Sequence, residues 1–199
     1  MKSIITIILI STILSCKAQS IIVPIVSGED FQKNPDYYLK DVNNEFDKFI
    51  GEWKYQNEET EITFKLKKEE HYQASSDYNY VDLIVGEYQY IENGVEKINT
   101  LSDFVNANIK GYDHNISGGV FTHISPSYCI INSDNQEIKI WLMIANPYND
   151  DIEGEVILRY VNDNGIEKLQ ACIRDESTLA NDENSRIDIP DGYYEFIKQ

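Results

Sequence analysis

The chain has 199 residues, 42% of them hydrophobic, with 17 Lys+Arg against 34 Asp+Glu and a formal net charge of −17. That length suits one domain with a core of useful size. The charge excludes a nucleic-acid partner, because backbone affinity comes from Lys and Arg neutralising phosphates, and it disfavours direct adhesion to anionic lipid.

Residues 1–19 read as an export signal. Lys2 precedes an apolar run that ends at Leu14, too short to cross a bilayer and flanked as a secretory signal is. Two processing schemes fit. Ile13-Leu14-Ser15-Cys16 has the form of a bacterial lipobox, with Cys16 as the lipidated first residue, whereas Cys16-Lys17-Ala18 would direct cleavage before Gln19. Removing residues 1–19 deletes Lys2 and Lys17 and no acid, so the formal charge moves from −17 to −19. The expected location is the cell envelope, lipid-anchored or alternatively soluble and periplasmic or secreted. Membrane contact is expected only through that lipid.

Residues 20–35 form an extended leader interrupted by Pro24 and Gly28, and residues 36–199 are expected to form one domain. Asn34-Pro35 suits a helix start, and Leu39, Val42, Phe46 and Phe49 recur at helical spacing, which predicts a short amphipathic helix ending near Gly51.

From Trp53 the period changes to two. Ile62, Phe64 and Leu66 alternate with charges and should face a core. Tyr78 to Ile91 is a longer strand, turning through Glu92-Asn93-Gly94 into Val95–Leu101. Residues 102–120, with Gly118-Gly119, read as irregular. Strands are expected at Ser127–Asn132 and, after a turn at Ser133-Asp134-Asn135, at Glu137–Ala145. A loop over Asn146–Asp151 leads to Glu153–Val161 and Ile166–Arg174, joined by the hairpin turn Asn162-Asp163-Asn164-Gly165. After a polar stretch at residues 175–188, Tyr193–Ile197 closes the chain. The fold class is mainly β: an antiparallel barrel of about eight to ten strands, which removes sheet edges, with one short N-terminal helix over an end. An open two-sheet sandwich is the alternative.

With Cys16 spent on lipid or removed, Cys129 and Cys172 remain as an even pair in an oxidising compartment. In a simple meander their strands lie roughly 14 Å apart, against the limit of about 7 Å between bridged Cα atoms. Two separately packed thiols are therefore favoured over a bridge. Leu169, Ala171 and Ile173 alternate inward and turn Cys172 outward.

Chemical motifs are sparse. His71, His114 and His123 lie far apart without zinc-ligand spacing, so no metal or other cofactor is expected. Asp113 beside His114 is an acid–base pairing to weigh against solvated loop residues. The acidic clusters Asn149–Glu153 and Asn181-Asp182-Glu183-Asn184 do not follow the EF-hand pattern and read as solvated loops. The chemical excess is tyrosine, 14 in all. Tyr80, Tyr88 and Tyr90 share a strand face with Asp82 and Ile84, opposite Val81, Leu83 and Val85. That double-sided apolarity makes the three tyrosines ligand-binding candidates.

Phe49-Ile50-Gly51-Glu52-Trp53 resembles the lipocalin-like (calycin) opening. The resemblance implies that Trp53 plugs one barrel end and that an Arg, with Arg174 as the candidate, packs on it. Over nearly the whole chain, Cys16-Lys-Ala-Gln, the block from Lys40 to Trp53 and the terminal Ile189-Pro-Asp-Gly resemble an uncharacterised family of small exported proteins of Bacteroidota, many of them predicted lipoproteins. It implies export and architecture and adds no catalytic residue. The expected function is that of a non-enzymatic envelope protein, monomeric, holding a small apolar or amphipathic ligand inside a barrel. A filled barrel binding a protein or glycan through its Tyr-rich face is the alternative, and a carboxylate-based hydrolase the third.

Overall fold

The computed structural model describes residues 20–25, 33–129, 131, 137–176 and 187–199, with the side chains of residues 150 and 151 left aside. The export segment with Cys16, residues 26–32 of the leader, the turn at 133–135 and the acidic cluster at 181–184 lie outside the described residues.

Eleven strands run in chain order: β1 (Ile21–Pro24), β2 (Tyr37–Lys40), β3 (Gly51–Gln56), β4 (Thr60–Tyr72), β5 (Tyr80–Glu92), β6 (Val95–Asn99), β7 (Ile116–Thr122), β8 (Lys139–Asn146), β9 (Asn149–Asp163), β10 (Ile166–Asp175) and β11 (Gly192–Lys198). Eight of them, β3, β4, β5 and β7 to β11, pair antiparallel with their chain neighbours, and β11 returns to β3 through Ile197↔Lys54 and Lys198↔Trp53. The result is a closed up-and-down barrel, not a sandwich. The outer edge of β5 serves three partners in turn: β2 in parallel at Tyr38↔Tyr80, β7 at Ile84–Gly86 and β6 from Gln89.

Alternation sorts the side chains. Ile62, Phe64 and Leu66 on β4 and Ile84, Tyr88 and Tyr90 on β5 point inward, joined by Ile140, Leu142 and Ile144 on β8. Phe64 stacks on Phe196 at 4.6 Å, and Tyr55 meets Tyr194 edge-on at 5.0 Å. Each such fully buried side chain contributes about 1.5–3 kcal/mol of transfer free energy. Aromatic and aliphatic side chains together fill the interior.

Four expectations need correction. The helix expected before Gly51 is instead strand β2 followed by a 3-10 turn over Glu45–Phe49. Tertiary bonds outweigh the helical spacing: the Tyr38 hydroxyl donates to Asp82 at 2.5 Å, and Asp41 accepts from the Glu45 and Phe46 N–H groups. Phe46 and Phe49 still bury, but Val42 is exposed. Next, Gly118-Gly119 lies within a strand. Gly119 sits at φ +157°, and a Cβ there would lie 2.8 Å from the Phe46 ring, so the glycine admits the strand where a larger residue would collide. The loop expected at Asn146–Asp151 shrinks to Pro147-Tyr148 because Asn146 pairs with Asn149, and the backbone of Asp150 and Asp151 belongs to β9. Finally, residues 127–129 form a turn, not a strand, and Tyr128, Cys129 and Ile131 pack outside the barrel on Ile157 and Cys172.

That outside packing overturns the preference for separate thiols. Cys129 and Cys172 form a disulfide with Cα atoms 5.8 Å apart. Cys172 does face outward, opposite Leu169, Ala171 and Ile173, but the segment carrying Cys129 covers it.

Candidate functional site

The outer wall of a barrel normally alternates to polar side chains. Here β5, β7 and β8 break that rule on adjacent strands. Outward positions carry Val81 and Leu83 on β5, Val120 on β7, and Trp141 and Met143 on β8. Trp141 is 40% and Met143 39% exposed, a large apolar investment on a surface.

Two additions turn this wall into a groove. Strands β1 and β2, appended in parallel to β5, bring Ile25 and Leu39 along one side. Between β6 and β7 the chain crosses the outside of β4 and β5. Lys67 holds it by donating to the Phe104 carbonyl, Glu69 by accepting from the Gly111 N–H, and a Cβ on Gly111 would collide with the Tyr72 ring. This connection sets Tyr112 on the other side. The enclosed space is about 280 Å³, near the lower end of ligand-site sizes, which start at about 300 Å³.

Beside it, sharing Tyr112, Ser117 and Met143, lies a cavity of about 220 Å³ that His114, Asn115 and Glu153 also line. His114 and Glu87 form a buried polar pair. His114 Nδ1 stands 2.7 Å from Glu87 Oε1, and the Asn115 amide donates to Glu87 Oε2 at 2.7 Å. His114 therefore pairs with Glu87 and not with Asp113, and it is 2% exposed, no solvated loop residue. A third, more open depression of about 430 Å³ continues over Val120, Ile124, Trp141 and Ile157.

The tyrosine trio does not converge on this site. Tyr88 and Tyr90 are core residues, their hydroxyls donating to the Ala145 carbonyl and to Glu92. Burial, first of all, raises the pKa of both phenols. Tyr80 is half-buried and stacks on His71 at 4.1 Å. None of the three lines the cavities described above.

Trp53 is fully buried near the start of β3, its indole N–H donating to the Phe49 carbonyl at 2.8 Å, with Phe49 and Tyr160 edge-on to each other beside it. Lys198, not Arg174, is the cation over its ring, at 5.2 Å. Arg174 lies over Tyr128 and pairs with Glu155 and Glu176. Among the described residues no group of three or more His, Cys, Asp and Glu is placed to hold a metal ion. No described helix is long and apolar enough to cross a membrane.

One family model covers the whole of this chain, residues 1–199. The chain belongs to DUF6705, a family of unknown function. No curated protein and no solved structure matches it. For this DUF6705 barrel, function must be argued from the site itself.

Reading by sequence missed Trp141, Met143, Tyr112 and the Glu87–His114 pair. A signal for the first two was present. Ile138 to Ala145 is apolar at nearly every position, so whichever face entered the core, the other had to carry apolar side chains outside.

Proposed function

We propose that this protein is a non-enzymatic envelope carrier or receptor, exported on a signal cut before Cys16 and tethered through that residue. It holds a small apolar or amphipathic molecule in the groove on the outside of its barrel. The observation that carries this reading is the apolar groove of about 280 Å³ between Leu39 and Tyr112 with Trp141 and Met143 in its floor. Apolar surface of that kind is favourable to cover, at about 25 cal/mol per Å² removed from water. The proposed place for a ligand is the outer wall because aliphatic and aromatic side chains occupy the interior.

Export is supported by the Cys129–Cys172 bridge, since disulfides persist in oxidising compartments. The tether matters to the ligand. Ile25 follows Cys16 by nine residues, a reach of at most about 32 Å, which keeps the groove close to the membrane from which an amphiphile would come.

Two measurements test the proposal. Native mass spectrometry of protein purified from its own envelope should find an adduct of lipid-like mass. The neutral apolar dye N-phenyl-1-naphthylamine should bind the ligand-free protein and lose that binding in Trp141→Glu. Dye binding that survives Trp141→Glu unchanged would overturn the groove assignment.

A second reading is favoured by the open depression over Val120, Ile124 and Trp141: a module whose outer wall docks another protein. A protein adduct in place of a small molecule in the same mass spectra would select it.

A further inference from the structure

Ser117 stands on β7 between Val85 of β5 and Met143 of β8. Its neighbour Ile116 belongs to the core, so strand alternation turns Ser117 to the outer face. There it lines both the apolar groove and the adjoining cavity of about 220 Å³, as Tyr112 and Met143 do. Ser117 is only 6% exposed. Its hydroxyl nevertheless bonds to no described residue, and it is not sealed from the cavities it lines. A buried polar group is ordinarily hydrogen-bonded. The smaller cavity holds a second open polar atom. Asn115, at its wall, donates its amide N–H to Glu87 at 2.7 Å, which leaves Oδ1 as an acceptor that no described donor meets. Neither cavity is lined by a Lys or Arg among the described residues, and Glu153 borders the smaller one.

We propose that the two cavities form one site for an uncharged acyl amphiphile whose carbonyl accepts from the Ser117 hydroxyl. The inference rests on the groove reading above and names the ligand class and the residue that selects it. The acyl chain lies in the groove along Met143 and Trp141, and the head group enters the smaller cavity. Ser117 sits where the lining changes from apolar to polar, so its bond falls at the junction of chain and head. Asn115 Oδ1 only accepts, and it takes an N–H or O–H of the head. A primary amide or a glycerol monoester supplies both the carbonyl and the donor. A fatty acid does not fit, because its carboxylate would find no described Lys or Arg at either wall, on a chain of formal charge −17.

The test uses decanamide, methyl decanoate, 1-chlorodecane and decanoate, each titrated by displacement of N-phenyl-1-naphthylamine from the purified protein. They share one chain length and differ in head: a carbonyl with N–H, a carbonyl alone, neither, and a charge. The wild type should bind methyl decanoate about tenfold more tightly than 1-chlorodecane, and decanamide more tightly still, with decanoate weakest. In Ser117→Ala the ratio of ester to chloroalkane affinity should fall to about one, and Ser117→Thr should restore it. The infrared carbonyl band of ¹³C-labelled methyl decanoate should lie at lower wavenumber on the wild type than in decane, a readout that does not depend on a variant folding. Equal binding of ester and chloroalkane by the wild type, or an ester preference that persists in Ser117→Ala, overturns the Ser117 contact and leaves the groove reading standing. An amide no tighter than the ester overturns the placing of the head at Asn115, and decanoate as tight as the ester overturns the uncharged class. Failure of all four probes to displace the dye overturns the inference as a whole. Absence of dye binding altogether removes the groove reading with it.

Discussion

Cys129 and Cys172 meet on the outside of the barrel wall, their Cα atoms 5.8 Å apart although 43 residues separate them in the chain. Counting strands places them too far apart because it assumes that both cysteines lie on strands. Cys129 does not. After β7 the chain leaves the barrel and crosses back over β8 and β9, so that Ile131 and Cys129 pack on Ile157 and Cys172.

Closing a loop of that length removes entropy from the unfolded chain equivalent to about 4 kcal/mol. The double variant Cys129→Ser/Cys172→Ser should therefore unfold in urea with a free energy lower by about 2–4 kcal/mol. Adding dithiothreitol to the wild type should give a similar loss. A variant as stable as the wild type would contradict the loop-closure argument.

The two tryptophans should respond oppositely to replacement. Trp53 is fully buried with its N–H bonded to Phe49, so Trp53→Ala should cost about 3–5 kcal/mol. Trp141 stands on the outer wall, and Trp141→Ala should change stability by only about 0.5 kcal/mol while abolishing dye binding. Thermal melts of the two variants beside dye titrations check both halves. A large stability loss at Trp141 would make it a packing residue.

Gly119→Ala tests the close approach of β7 to the 3-10 turn. The added methyl would meet the Phe46 ring at 2.8 Å from a backbone at φ +157°, and overpacking of this kind costs about 1–3 kcal/mol. Gly94→Ala has open space around the new Cβ but also a positive φ, +73°, so it reports backbone strain alone. The expected order of midpoint losses in urea is Gly119→Ala greater than Gly94→Ala, and the reverse order would remove Phe46 from the explanation.

The buried tyrosines make the fold alkali-sensitive. Burial, with Tyr55 and Asp191 nearby, pushes the Tyr194 phenol up to about 12, and Tyr88 moves in the same direction for the same first cause. In the unfolded chain both ionise near about 10. Below that pH folded and unfolded states are equally protonated and stability is complete. As pH rises further the unfolded chain releases protons that the folded one keeps, so stability falls by about 1.4 kcal/mol per pH unit for each such tyrosine. Urea midpoints measured at pH 7, 9 and 11.5 should decline only over the upper interval. Tyr194→Phe should lower stability at pH 8, through loss of its bond to the Pro190 carbonyl, and decline less steeply above pH 10. A flat profile to pH 11.5 would exclude this burial effect.

Strand content was readable where one face alone is apolar. Ile62, Phe64 and Leu66 in β4 and Leu169, Ala171 and Ile173 in β10 alternate against polar neighbours, and each set lies in the core. The turns at Asn93-Gly94 and Asn164-Gly165 were readable for a related reason: both members of each pair have positive φ, which Asn and Gly tolerate best. The site was hidden because its residues come from six separate stretches. Leu39, Tyr112, Val120 and Trp141 share no local pattern, and His114 finds Glu87 27 residues away instead of its neighbour Asp113.

Sequence by itself determined the sheet-forming segments, the inward set of aliphatic and aromatic side chains and the acidic outside, because strand periodicity and turn chemistry are local properties of the chain. Only the tertiary structure decided that Phe46 and Phe49 ride on a 3-10 turn, that the cysteines bridge, and that the apolar surplus of β5, β7 and β8 faces outward as a groove. Those outcomes depend on which segments cross the outside of the barrel once it closes. Closure brings together residues whose separation along the chain carries no record of their distance in space.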